Sequence, residues 1–158
     1  MREARLAPID GRAEFHAAVI EALGASRHSV TLVDRDFEDW PLESAAGEQA
    51  LRALLGRGAR LQVLVGRRDW LERHGSRFMR LRRLHPALVE IREIPANLRI
   101  DESALLGDDQ HLVRRAHGDS FRGRLVIASP SEVEPYTDRY RAAWDEATPC
   151  LPATTLGL

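Results

Sequence analysis

Apolar residues along this chain recur at two spacings, one helical and one strand-like, and the spacings alternate. Phe15, Val19, Ala22 and Leu23 follow an i, i+4, i+7, i+8 stripe after Asp10-Gly11. That stripe predicts a helix over residues 12–24, with Gly24 as a left-handed stop. Residues 28–34 (HSVTLVD) are β-branched and nearly apolar, as expected of a strand covered on both faces. Ser44 is placed to cap a second helix to about Leu55, with Leu51, Leu54 and Leu55 inward and Gly56 and Gly58 ending it. Residues 61–65 read as a second buried strand. This helix–strand–helix–strand order favours a parallel α/β sheet.

Residues 70–85 read as one further helix with two faces. Trp70, Leu71, His74, Phe78 and Leu81 fall on one arc, which places His74 as a partly buried packing residue. Arg73, Arg77, Arg80 and Arg83 fall on the opposite arc. Pro86 ends this helix, and residues 88–94 alternate like a third strand. Residues 104–107 and 111–114 form a hairpin around Asp108-Asp109-Gln110, and residues 124–128 make another apolar strand. Ser129 or Ser131 caps a last helix, with Pro130 near its first turn and Val133, Tyr136, Tyr140, Ala143 and Trp144 inward. The expected organisation is an extension over residues 1–10, one domain over 11–147, and a disordered tail over 148–158.

Composition narrows the chemistry. The 23 basic residues are all arginine, so no Schiff base, catalytic ammonium or lysine phosphate clamp exists here. With a net charge of -1, nucleic acid or an anionic membrane must find a local patch. Cys150 is alone, which rules out an internal disulfide and fits a reducing compartment. The charged first residues and the absence of a long apolar run make the cytoplasm the expected location, without membrane attachment.

The segment from Asp101 to Asp108 has the frame D-x-S-x-x-x-x-D, with Ser103 at its third position. It shares the spacing of H-x-K-x-x-x-x-D, the signature of the phospholipase D superfamily. Gly58-Ala59-Arg60-Leu61-Gln62-Val63-Leu64 resembles that superfamily's G-x-R-[LV]-x-[VI]-L strand, and Tyr140-Arg141-Ala142-Ala143-Trp144 resembles its closing F/Y-x-x-x-W helix. In this order, the pieces make residues 11–147 similar to one half of a phospholipase D-like fold. They are also similar to a proteobacterial group of degenerate domains found alone or after an acetyltransferase domain. The resemblance implies an α/β fold, a phospholipase D-like mixed sheet flanked by helices on both faces.

In active members the His attacks phosphorus, the Lys neutralises phosphate oxygens, and two motifs meet across a pseudo-twofold axis. Here Asp101 stands at the nucleophile position, where it would repel a phosphodiester, and Ser103 supplies no positive charge. The resemblance therefore implies a domain with no catalytic residues and no cofactor, partnered by a second copy or by an acetyltransferase.

Three other constellations remain. Arg114, Arg115 and Arg122 beside the hairpin, with Asp34 and Trp40 in the loop after the first strand, are candidates for opposite walls of an anion or ligand pocket. The plainer alternative is that these arginines pair with neighbouring acids. Asp34, Asp36 and Asp39 offer oxygen ligands but lack the Gly and distal Glu of a calcium loop, so no metal is expected. The Arg73/Arg77/Arg80/Arg83 stripe is either a solvated helix face or a weak grip on nucleic-acid phosphates; a sequence-specific nucleic-acid partner is not expected. A further alternative is altered acid/base chemistry using Asp101 and Asp108, with His111 or His117.

Overall fold

The computed structural model describes residues 3–153. Its elements are β1 (Arg5–Asp10), α1 (Arg12–Ala25), β2 (Ser29–Asp34), α2 (Ala45–Gly56), β3 (Arg60–Val65), α3 (Asp69–His74), α4 (Ser76–Leu84), β4 (Val89–Glu93), β5 (Ser103–Gly107), β6 (His111–Arg115), β7 (Arg122–Ile127), α5 (Pro130–Glu146) and β8 (Thr148–Cys150). The strands form one eight-stranded sheet in the order β1-β7-β6-β5-β2-β3-β4-β8. β2, β3 and β4 run parallel, joined by helical crossovers, and the other pairings are antiparallel. The sheet is therefore mixed rather than wholly parallel.

Strand alternation sorts the core into two layers. Val30 and Leu32 of β2, Leu61 and Val63 of β3, and Leu105 of β5 pack under α1, α2, α3 and α4. Val33, Leu64, Ala104, Leu106 and Leu112 face the other way, against Val133, Tyr140, Ala143 and Trp144 of α5. Phe15 and Leu32 are wholly buried, each contributing roughly 1.5–3 kcal/mol of transfer free energy.

Several boundaries differ from expectation, each for a local reason. Residues 5–10 are not an extension: Arg5 through Asp10 pair with Ile127 through Arg122, turning Ile9 into the core. Pro8 is tolerated because this is an edge strand. Residues 148–150 are not a disordered tail but pair with β4 at the opposite edge; residues 154–158 lie outside the described residues. Gly24 does not stop α1, which runs on to Ala25, and Ser26 then closes it through Ala22 O.

The helix expected over residues 70–85 is two helices, broken at Gly75, where any Cβ would meet Leu71 O at 2.6 Å. The new helix start is capped from a distance: Arg77 and Phe78 donate their N–H groups to the Glu43 carboxylate at 3.0 and 2.8 Å. The break leaves His74 exposed rather than packed, its ring beside Trp70. Ser44 caps α2 as expected, accepting from Gly47 N–H at 3.0 Å.

Candidate functional site

The β5–β6 hairpin sends alternate residues to opposite faces of the sheet, and each end of it carries a polar cluster. At the open end, Ser103 begins β5 and lies in register with Arg115, the last residue of β6. Both point toward α1, as does Asp34 at the end of β2. The three are buried: Ser103 at 0% exposure, Arg115 at 1% and Asp34 at 5%. The Ser103 hydroxyl donates to Asp34 Oδ1 and accepts from Arg115 Nη2 at 2.8 Å. Arg115 Nη2 is also 3.8 Å from Asp34 Oδ1, and Nη1 reaches Ser120 O at 3.3 Å. The guanidinium lies over the rings of Phe15 and Phe121, 4.4 and 4.6 Å from their centroids. Burial pulls the Arg115 pKa down, while Asp34 and Asp39 oppose the shift. Arginine and phenylalanine therefore fill the space beside Ser103.

Asp34 is also committed on its other oxygen, which accepts the N–H groups of Asp36 and Phe37 at 3.1 and 2.7 Å. It thereby sets the turn that sends Phe37 and Trp40 inward. Asp36 and Asp39 face the surrounding arginines, with Arg67 and Arg35 near Asp36 and Arg12 near Asp39. Among the described residues, no group of three or more His, Cys, Asp or Glu side chains converges as metal ligands would.

On the opposite face, Glu102 is 4% exposed. It accepts from Arg139 Nε and Nη2 at 2.8 and 2.9 Å and from Tyr140 OH at 3.0 Å, and Arg114 Nη2 lies 3.5 Å away. Burial alone would raise the Glu102 pKa, but Arg139 and Tyr140 hold it below the ordinary range. This clamp fastens α5 to the start of β5. Nothing in the spacing of Glu102 announces it, because its partners lie 37 and 38 residues away.

The proposed pocket residues therefore do not converge on one space. Asp34 and Arg115 join Ser103, and Trp40 packs nearby, edge-on to Phe15 at 5.3 Å. Arg114 turns to the α5 face, over Tyr136 at 4.8 Å, and Arg122 is exposed on β7. Asp101 is exposed before the strand, its carbonyl accepting from Gly118 N–H at 2.9 Å. His111 is buried, with Nδ1 accepting from Ala128 N–H, while His117 is exposed. Arg73, Arg77, Arg80 and Arg83 are all exposed on α3 and α4; Arg77 pairs with Glu48 at 3.6 Å.

Asp108 sits at the closed end of the hairpin, with φ at 53°. It accepts the N–H groups of Arg27 and His28 at 2.7 Å and of Ser29 at 3.0 Å, pinning the α1–β2 turn to the β5–β6 turn. Burial pushes its pKa up, but these three bonds outweigh it and the net shift is downward. Asp101 and Asp108 lie at opposite ends of a strand, roughly 20 Å apart at ~3.3 Å per residue, so they cannot act on one substrate atom.

A family described as a domain of unknown function, DUF7931, matches residues 11–156. The chain belongs to the DUF7931 family. No curated protein matches it. The fold of this chain is phospholipase D-like. Nuc of Salmonella typhimurium, described as a phospholipase D family member, superposes with a TM-score of 0.70 at 12% identity, covering 94% of this chain and 99% of Nuc. NucT of Helicobacter pylori gives 0.65 at 12% identity, covering 94% of this chain and 100% of NucT. TrmBL2, an archaeal chromatin protein described as showing a novel mode of DNA binding, gives 0.68 at 16% identity; the match covers 92% of this chain and 54% of TrmBL2. The chain thus spans about half the length of TrmBL2 and nearly the whole of Nuc and NucT. At these identities the likeness is one of fold.

Proposed function

We propose that this chain is a catalytically inactive phospholipase D-like domain that acts through binding and assembly, with a second copy or an acetyltransferase as its partner. One observation carries the reading: Ser103, at the position of the motif lysine, is wholly buried and its hydroxyl is engaged by Asp34 and Arg115. A phosphodiester would have to displace a guanidinium packed over two aromatic rings. The exposed carboxylate of Asp101 would also repel it.

The test is hydrolysis of bis(4-nitrophenyl) phosphate by the purified chain. The expected rate equals that of buffer. Turnover that disappears in Asp101→Asn or Ser103→Ala would overturn the reading. Solution mass by light scattering tests the second-copy partner, with a dimer expected.

A second reading, weak nucleic-acid binding, is favoured by one observation. Arg73, Arg80 and Arg83 are exposed and have no ion-pair partner among the described residues. Arg52 of α2 extends this basic surface across a groove it shares with Arg77 and Arg80.

A further inference from the structure

The closed end of the hairpin is built in the opposite sense from the filled end. Central strands covered by a helix ordinarily carry apolar residues on the covered face. Val33 of β2 and Leu64 of β3 do so under α5. Two and four residues earlier on the same face stand Thr31 and Ser29, and Gln62 and Arg60. One flank of α5, with Thr137, Tyr140, Arg141 and Trp144 at i, i+3, i+4 and i+7, closes against this polar floor. Between them lies a cavity of about 200 Å³.

Its groups are only partly used by the protein. The Thr31 hydroxyl lies 3.3 Å from Gln62 Oε1, which leaves the amide nitrogen of Gln62 without a partner among the described residues. The Arg60 guanidinium is exposed and has no ion pair there either. Arg141 lies 3.8 Å from Asp109, so two guanidiniums face one carboxylate and the lining carries one surplus positive charge. Tyr140 and Trp144 are buried and supply apolar walls. The mouth is fixed, because the Asp108 carboxylate binds Ser29 N–H while its neighbour Asp109 is held at φ 56°.

We propose that this cavity binds a small anion bearing hydroxyl groups, a sugar phosphate or a hydroxycarboxylate, with Arg60 and Arg141 on its charge and Thr31 and Gln62 on its hydroxyls. The volume equals about seven waters at ~30 Å³ each and falls below the ~300–1,000 Å³ typical of drug-sized ligands, which suits a small anion better than a nucleotide. Guanidiniums give bidentate recognition of phosphate or carboxylate, and the hydroxyl and amide groups add selectivity over simple anions. The site lies at the amino ends of the parallel strands, remote from Ser103, and stands whether or not that end of the hairpin has lost catalysis.

Calorimetric titration of the full chain with ribose 5-phosphate, gluconate and inorganic phosphate tests it. Binding is expected for ribose 5-phosphate or gluconate, and whichever binds identifies the source of the anion. Arg60→Gln and the pair Thr31→Val with Gln62→Leu are each expected to weaken binding about tenfold, as loss of charge-assisted and directional bonds should. Inorganic phosphate is expected to bind at least tenfold more weakly than the preferred ligand. The replaced groups are exposed or half-buried, so the variants should unfold near the wild-type temperature. Should one fail to fold, a shift of the wild-type Gln62 side-chain amide resonance on addition of the ligand decides the same point. No binding of either hydroxylated anion at millimolar concentration overturns the proposal, as does unchanged affinity in both variants or equal affinity for inorganic phosphate.

Discussion

Separating Asp34 from Arg115 measures whether the filled end of the hairpin is held as a charge pair. The perturbation is Asp34→Asn and Arg115→Met, singly and together. Asn keeps an acceptor for the N–H groups of Asp36 and Phe37, so the loop after β2 is preserved while the negative charge is lost. Met keeps apolar bulk against Phe15 and Phe121. Each single variant strands one buried charge without its counter-ion, a change that costs about 3–5 kcal/mol. At this chain length, each kcal/mol moves the melting temperature by roughly 2–4 °C, so each single variant should melt roughly 10 °C lower. The double variant strands neither charge. Its loss should fall short of the sum of the singles by about 2 kcal/mol, within the range of coupling between contacting residues. Urea unfolding followed by tryptophan fluorescence reads this out, since Trp40 lies edge-on to Phe15 beneath the cluster. Losses that add to within ~0.5 kcal/mol would show that Asp34 does not hold Arg115, and the argument for a plugged site would fall.

Acid should weaken the fold through Glu102 and Asp108. Burial alone raises both pKa values, but Arg139 and Tyr140 at Glu102, and three backbone N–H groups at Asp108, bring each below its ordinary value. Stability from a depressed carboxyl is complete above the unfolded pKa near ~4 and is lost as pH falls through the folded value. Urea midpoints should therefore be level between about pH 5 and 7 and decline below about pH 4. Asp108→Asn should cost about 2–3 kcal/mol at pH 7 and reduce that decline, and an unaltered decline would refute the assignment. For the arginine face, duplex binding by anisotropy should show a slope of log K against log salt near about -3, for three phosphates at ~0.9 each. Arg80→Gln should reduce that slope by about one. No binding at low salt, or a slope unchanged by the variant, would remove nucleic acid as a partner of this face.

What the sequence discloses depends on how local the cause is. α1, α2, β2, β3 and the hairpin follow from periodicity because their apolar positions repeat within a few residues. β1 was hidden because Pro8 and exposed Leu6 blur an alternation whose only fully buried member is Ile9. The α3–α4 break was hidden because its cap, Glu43, lies 34 residues before Arg77. The same holds for the site: Ser103 and Asp34 are 69 residues apart, and no spacing rule joins them. One element was accessible. Arg114 and Arg115 are neighbours on a strand and must face opposite sides of the sheet, so they could not line one pocket.

The two ends of the hairpin also separate two meanings of the motif-like frame. Asp108 is explained by geometry alone: a turn at positive φ whose carboxylate satisfies three backbone N–H groups has a structural reason to carry Asp. Its presence is therefore no argument for chemistry. Ser103 carries the opposite lesson. A guanidinium remains charged at any ordinary pH, so burying Arg115 beside Ser103 requires a permanent counter-charge, and Asp34 supplies it. Asp34 is committed to the Ser103 hydroxyl and Arg115 on one oxygen and to two N–H groups on the other, which leaves it no free lone-pair face toward a substrate. An ion pair of this kind makes the filled end a device for holding β2, β5 and β6 together. Under α5, by contrast, the Gln62 amide nitrogen and the Arg60 guanidinium line a cavity without partners among the described residues, and ligand chemistry is to be sought there.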